Sequence, residues 1–511
     1  MKDIPAVTAL GDSPSRSLFN AALDYVDDQE TARPYLTTEL PRLNTDTWLM
    51  SPDGRMQTTH RLRPNATWHD DVPLSANDFV FAWQVYAIPE LGHSNSVPIS
   101  EIEELTAPDA ATVVIRWRRP YPDVDRMGSL LPPLPRHILE ESFRRGDLET
   151  FAKHPYWTTQ YVGLGPWRLD RWEPGAFIEG SAFAGHVLGR PQIDRIRLTF
   201  NADSNAVLAS VLAGESHVTL AFTIFPEQAL VLQQQGWGGT VLDVANAWRR
   251  VDVQGRPDFV SPRALQDARV RKAFAHAIDR PAINEAVYLG QSIVTDAPIT
   301  SSAPYYAELD RAISHYTYDL RRVERLLTEA GFTRGTDGSY VGADGDRLSV
   351  EIKANGTEAY VKELAIIASG WRQAGFETKE TAVPVALAQN REVRGSYPGF
   401  YVSESGSGEK SFELYIARTI GTPQNNWVGS NRAGFSDPEF DRLQDAFSRT
   451  LDRSERNRLA IEMATVLSDQ VAAISLVFSV NTLAIAPGLV GPGAWGPDGS
   501  FTWNAHLWRW Q

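Results

Sequence analysis

The chain has no cysteine in 511 residues, which excludes disulfides and thiolate chemistry, although it does not by itself place the compartment. It also lacks any basic block. Its 49 lysines and arginines are interspersed with 63 acidic residues, the net charge is −14, and a nucleic-acid partner is not expected. No His-Glu-x-x-His, no Gly-x-Ser-x-Gly and no helix-opening Gly-x-Gly-x-x-Gly is present, so no catalytic set is legible. Internal repeats and low-complexity tracts are absent too. The opening Met1-Lys-Asp-Ile-Pro5 carries neither an apolar leader nor a lipidation cysteine.

Several near-motifs fail on spacing. Ser403-Glu-Ser-Gly-Ser-Gly-Glu-Lys-Ser411 looks like a phosphate loop, but Glu409 interrupts the Gly-Lys-Ser order. His60, His69 and His93 have no metal-ligand spacing and read as surface or turn residues. Asp70/Asp71 and Glu103/Glu104 are adjacent in sequence, so each pair points apart and is no acid–base couple. The longest uncharged run, Gln470 to Gly491, is long enough to span a bilayer. Its Leu476, Phe478 and Val480 alternate with other residues and Pro487-Gly488 breaks it, so it reads as a buried strand and loop.

What is present supports large cores. Hydrophobic residues make up 42% and aromatics 10%, and the length calls for two or more domains. Apolar spacing of three to four predicts helices at 266–279, 319–331, 358–375 and 436–448, the third closed by Gly375. Strands alternate with them, Val350–Lys353 among these, which is the pattern of an α/β protein. The richest local signal is Arg61–Trp83. It reads as a strand broken at Pro64-Asn65, a turn at His69-Asp70-Asp71, and a helix capped by Ser75 with Asp78 at its third position.

Trp68-His-Asp-Asp-Val-Pro-Leu-Ser-Ala-Asn-Asp-Phe79 resembles the Trp/Phe-His-Asp-Gly-x-Pro-Leu-Thr-Ala-x-Asp-Val signature of ABC-transporter extracytoplasmic solute-binding proteins of family 5, the oligopeptide- and dipeptide-binding type. Asp71 stands at the signature's turn glycine, which Asp tolerates in a left-handed conformation. Further segments resemble the same family in order: Tyr161-Val-Gly-Leu-Gly-Pro-Trp167, Asn205–Glu215, Asp267–Arg280, Tyr318–Phe332 and Gly434–Asp441. His217 replaces the acidic residue that the family places after the Ala-Gly-Glu helix.

The resemblance implies a two-lobed periplasmic-binding-protein-like α/β fold (type II, class C) with a small inserted domain. Lobe I would comprise 1–16, 161–262 and 475–511, the insert 17–160, and lobe II 263–474. It implies a receptor that closes on a peptide or other small polar solute in an interlobe cleft and hands it to ABC-transporter permease subunits. Such a protein is no enzyme, uses no cofactor, works as a monomer, and lies in the periplasm or outside the cell, with its leader missing from this chain. A solute sensor, or an enzyme on the same scaffold, is the alternative.

The family's ligand-facing segments correspond here to Phe222 and Phe225, to Trp248, to Tyr401 and Glu404, and to Asn426 and Trp427. Where peptide binders carry an Asp for the ligand's amino terminus, the 401–411 segment, read as a Gly/Ser-rich loop, offers Glu404, or Glu409 after a shift in register. The change widens the expected ligands to sugars, opines and other uncharged or hydroxylated solutes.

Overall fold

The computed structural model describes residues 13–511 except 92, 93, 95, 96, 129, 202, 222, 344, 346, 497 and 498. The chain forms two compact units, 1–242 with 482–511, and 243–481. The divisions fall earlier than 262 and later than 475, inside two long strands, Thr240–Val253 and Ala473–Ile485. Residues 17–160 lie within the first unit, and residues 243–262 within the second.

In the first unit an antiparallel sheet runs in the order Trp48–Met50, Met56–Arg61, Thr112–Trp117, Ile102–Asp109. Met56, Thr58 and His60 are buried in alternation, as a half-buried strand requires. The turn after it uses Asp71 at φ 67°, the left-handed conformation that the missing glycine would otherwise supply. Ser75 then caps the helix Ala76–Tyr86 in a full capping box with Asp78. Asp78 also accepts from Trp68 Nε1 at 3.3 Å and from the Arg136 amide at 2.9 Å, so a local cap becomes a tertiary anchor. Burial raises the Asp78 carboxyl while these donors oppose the shift.

His69 is buried rather than exposed, and its ring links two distant motifs. Nδ1 accepts from the Gly163 amide at 3.2 Å and Nε2 donates to the Gly165 carbonyl at 3.0 Å, while the His69 amide donates to the Gly163 carbonyl at 2.9 Å. Gly163 and Gly165 run so close to the backbone of Phe19 and Asn20 that a Cβ on either would overlap it. Gly165→Ala should therefore cost about 1–3 kcal/mol of overpacking, read as a lowered urea midpoint. An unchanged midpoint would show that the segment can move aside. His93 lies outside the described residues.

Burial pushes the imidazoles of His60, His69, His186 and His506 down to about 4 from 6.5, so all four are neutral at pH 7. As pH falls below 6.5 the unfolded chain takes up protons that the folded chain refuses. Stability is complete above that value and declines progressively toward pH 4, by on the order of 3 kcal/mol for each such histidine. Melting temperature between pH 7.5 and 4 should fall accordingly, and a flat profile would contradict this account.

The second unit is built on a mixed six-stranded sheet. Its strands in chain order are β1 (Thr240–Val253), β2 (Ile293–Val294), β3 (Ser349–Asn355), β4 (Glu377–Val383), β5 (Phe400–Gly406) and β6 (Ala473–Ile485). Their spatial order is β2-β6-β1-β5-β3-β4, with β3 parallel to β4 and β5, and β1 antiparallel to β5. The expected Gln470–Gly491 strand is β6, and among the described residues no helix is long and apolar enough to cross a membrane.

Two hydrophobic clusters accompany this sheet. One joins Val251, Val253, Ile352 and Phe400 to Phe274, Leu327 and Trp371 from the helices Ala268–His276, Leu320–Glu329 and Glu358–Ala374. The other joins Trp248 and Phe478 to Phe440, Phe447 and Met463 from Pro438–Phe447 and Arg453–Gln470. The helices are shorter than predicted by at most three residues per end, and Gly375 does close the third at φ 101°.

Candidate functional site

The 401–411 segment is not the flexible loop its glycines and serines suggest. Residues 400–406 form β5, and after Ser407 and Gly408 the chain enters a 3-10 turn at Glu409–Tyr415. Phe400, Tyr401 and Val402 are buried, and pairing with β1 and β3 commits much of the backbone to ladder bonds. Register sets Arg249 opposite Glu404, Trp248 opposite Ser405, and Asp252 opposite Tyr401. Because side chains alternate, Arg249 and Glu404 share one face, while Trp248, Arg250, Asp252, Tyr401 and Ser405 share the other.

On the first face, Arg249 forms a sealed ion pair with Glu363 of the helix Glu358–Ala374, with 1% and 0% of their side chains exposed. Its guanidinium lies 3.8 Å from the centre of the Tyr360 ring. Nη1 also reaches within 3.8 Å of Glu404 Oε2, which accepts from Ser479 Oγ at 3.2 Å. One buried cation thus serves two carboxylates, and only Glu404, 17% exposed, is open to solvent. Burial pushes its carboxyl up, with Glu363 adding to the shift and Arg249, Ser479 and Tyr360 opposing it. Arg249 Nε, Glu363 Oε1 and the Tyr288 hydroxyl are buried without a hydrogen-bond partner.

On the second face the charges close on themselves. Arg250 Nε donates to Asp252 at 2.9 Å and Nη1 to Ser405 Oγ at 2.8 Å, and the Tyr415 hydroxyl donates to Asp252 at 2.8 Å. Trp248 is buried core, its Nε1 held by Ser475 Oγ at 3.0 Å and its ring 4.5 Å from the Arg250 guanidinium. Tyr401 is also buried and donates to Asn355 Oδ1 at 2.7 Å, and burial raises its phenol.

Asn426 and Trp427 lie at the tip of the segment between Gly421 and Gly434, both with left-handed backbones, at φ 54° and 59°. Asn426 is exposed and Trp427 half-buried, its ring 5.3 Å from Phe259 and packed over Gly395. In the first unit, Phe225 is half-buried at the start of the helix Pro226–Gln234, where its amide donates to Gln228 Oε1 at 3.1 Å. Phe222 lies outside the described residues.

Arg249, Tyr360 and Glu363 were not among the predicted site residues. A signal for the first exists in the sequence, since Trp248-Arg-Arg-Val-Asp-Val253 puts two arginines and an aspartate inside a strand otherwise fit for a core.

Residues 40–421 match the model for bacterial extracellular solute-binding proteins, family 5, middle region. The chain belongs to that family. A Brucella ovis protein, named as a candidate ABC transporter peptide-binding protein, is 26% identical over a stretch covering 56% of this chain and 51% of that protein. The match therefore spans about half of that relative's length. The dipeptide-binding protein of Escherichia coli is 22% identical over 87% of this chain and 82% of its own length. The structure of NikZ from Campylobacter jejuni, solved in complex with Ni(L-His), superposes with a TM-score of 0.81 at 22% identity, covering 99% of this chain and 97% of NikZ. The family 5 chain thus has the two-lobed periplasmic-binding-protein fold that its motifs implied.

Proposed function

We propose that this chain is the solute receptor of an ABC importer. It binds a peptide or other small polar solute outside the cytoplasmic membrane and presents it to the permease subunits, without catalysing a reaction. Family membership supports the role. The ligand chemistry rests on Glu404, a carboxylate in excess of the buried cations, held at a strand end with its neighbours sealed and itself partly open. A surplus buried carboxylate is either protonated or matched by a cation, so the favoured solute carries a cationic nitrogen, as a peptide amino terminus does. Asn426 contributes an amide and Trp427 a ring face to the proposed recognition set, with Tyr401 and Trp248 supporting the strand pair from behind. Phe225 adds a half-buried apolar ring to the proposed set.

The E. coli relative's name specifies dipeptides, and the NikZ complex holds a nickel–histidine chelate. Both classes therefore belong in the screen. Thermal-shift screening against di- and oligopeptides, metal–amino acid chelates, sugars and opines should yield a stabilising solute that is recovered unchanged after prolonged incubation. Its conversion to a product would overturn the receptor reading. Sedimentation should show a monomer with and without that solute.

A further inference from the structure

We infer that Arg256 is the positioning residue of the recognition turn, fixing the backbone that presents Asn426 and Trp427. The inference rests on the proposed role of that turn in meeting the solute. Two successive non-glycine residues hold left-handed conformations there, one of them a tryptophan, and such geometry persists only where the surroundings over-determine it. The turn's own bonds account for part of this. The Trp427 amide donates to the Thr422 carbonyl at 2.8 Å, and Asn425 bridges the Thr422 amide at 2.8 Å and the Ile420 carbonyl at 3.0 Å.

The remainder converges on one guanidinium. Arg256 Nε and Nη2 donate to the Gly421 carbonyl at 3.2 and 2.9 Å, and Nη2 also to that of Asn431 at 3.2 Å. Nη1 donates to the carbonyls of Arg432 at 2.8 Å and Gly395 at 2.9 Å, and to Gln254 Oε1 at 3.1 Å. Gly421 and Asn431–Arg432 are the two ends of the turn, and Gly395 is the floor under the Trp427 indole. Arg256 therefore ties the two ends of the turn to the backbone under the Trp427 indole, whose ring centre lies 5.7 Å from the guanidinium carbon.

Two further features mark the arrangement as built for this side chain. All of those acceptors are neutral, and among the described residues no carboxylate pairs with Arg256, although it is buried to 7% exposure. A cation kept so deep without a countercharge is costly, and a plain packing role would be served as well by an apolar residue. Only the planar fork of arginine meets so many carbonyls at once. The chain also narrows where the side chain passes. A Cβ on Gly434 would overlap the Arg256 Cγ, and one on Gly255 would come within 2.8 Å of the Gly434 carbonyl oxygen.

The test compares Arg256→Lys and Arg256→Met with wild type and Trp427→Phe, all ligand-free and full length. Lysine keeps the charge but reaches one or two of the carbonyls; methionine keeps the apolar stem alone. The readouts are hydrogen exchange of the 419–432 amides and the fluorescence attributable to Trp427, taken as the difference from Trp427→Phe. Both substitutions should accelerate exchange in 419–432 at least tenfold and abolish the Trp427 difference, while β1, β3 and β5 keep their protection. Retention of both signatures in Arg256→Lys overturns the inference, as does loss of protection throughout the second unit in both variants, which would make Arg256 a general core staple. Should Arg256→Met fail to fold, Arg256→Lys alone decides. None of these readouts involves a solute. A wrong assignment of the recognition turn would instead appear as unchanged solute binding by Trp427→Ala in a protein whose turn still depends on Arg256.

Discussion

Glu363→Gln should destabilise the second unit by about 3–5 kcal/mol, because it strands the Arg249 guanidinium in a sealed site. The effect should sit toward the lower end, since Glu404 is 3.8 Å away and can take over as counterion. That rescue predicts an unusual non-additivity. Glu404→Gln alone removes a surplus carboxylate and should leave the ligand-free protein near wild-type stability or slightly above it. The double variant leaves Arg249 with no carboxylate and should lose more than the sum of the two singles. Denaturant titrations of the four proteins at pH 7.5 measure this directly. A Glu363→Gln protein within 1 kcal/mol of wild type, or strictly additive losses, would contradict the shared-cation description.

Binding of a cationic solute should weaken by about 2–5 kcal/mol in Glu404→Gln, roughly a thirtyfold to several-thousandfold rise in Kd. The charge arithmetic is the same one seen from outside: with the carboxylate gone, the ligand's cation is desolvated opposite a neutral amide. Because burial raises the Glu404 carboxyl, that carboxylate is fully available only above its raised value, and affinity for a cation falls as pH drops through it. The ligand-free protein shows the opposite trend. Its folded state binds the Glu404 proton more tightly than the unfolded chain does, so this group's contribution declines as pH rises between the ordinary carboxyl value and the raised one. If the solute proves neutral, Trp427→Ala should hurt more than Glu404→Gln. Calorimetry at two pH values with each variant separates these cases, and wild-type binding by both variants would remove Glu404 and Trp427 from the recognition set.

Much of the architecture was legible because its causes are local. Ser75 and Asp78 lie three residues apart and form their capping box wherever that helix sits. Asp71 takes a left-handed turn, Gly375 ends a helix, and the polar Ser475, Ser479 and Asn481 with the Pro487-Gly488 break mark 473–485 as a strand instead of a membrane span, each for reasons contained in a few neighbouring residues. The order of the family's motifs added the fold class. The 401–411 segment misled for a physical reason: its glycines and serines favour a loop, but two flanking strands supply hydrogen bonds that outweigh that preference.

What only the tertiary structure decided are the partnerships of buried polar groups. His69 meets Gly163 and Gly165 some ninety positions away, Arg249 meets Glu363 across 114, and Arg256 gathers carbonyls from 139 to 176 positions distant. Each partner is unremarkable in its own segment. A buried charge must be satisfied, but the sequence states only that requirement; which group satisfies it depends on which strands and helices the fold brings together.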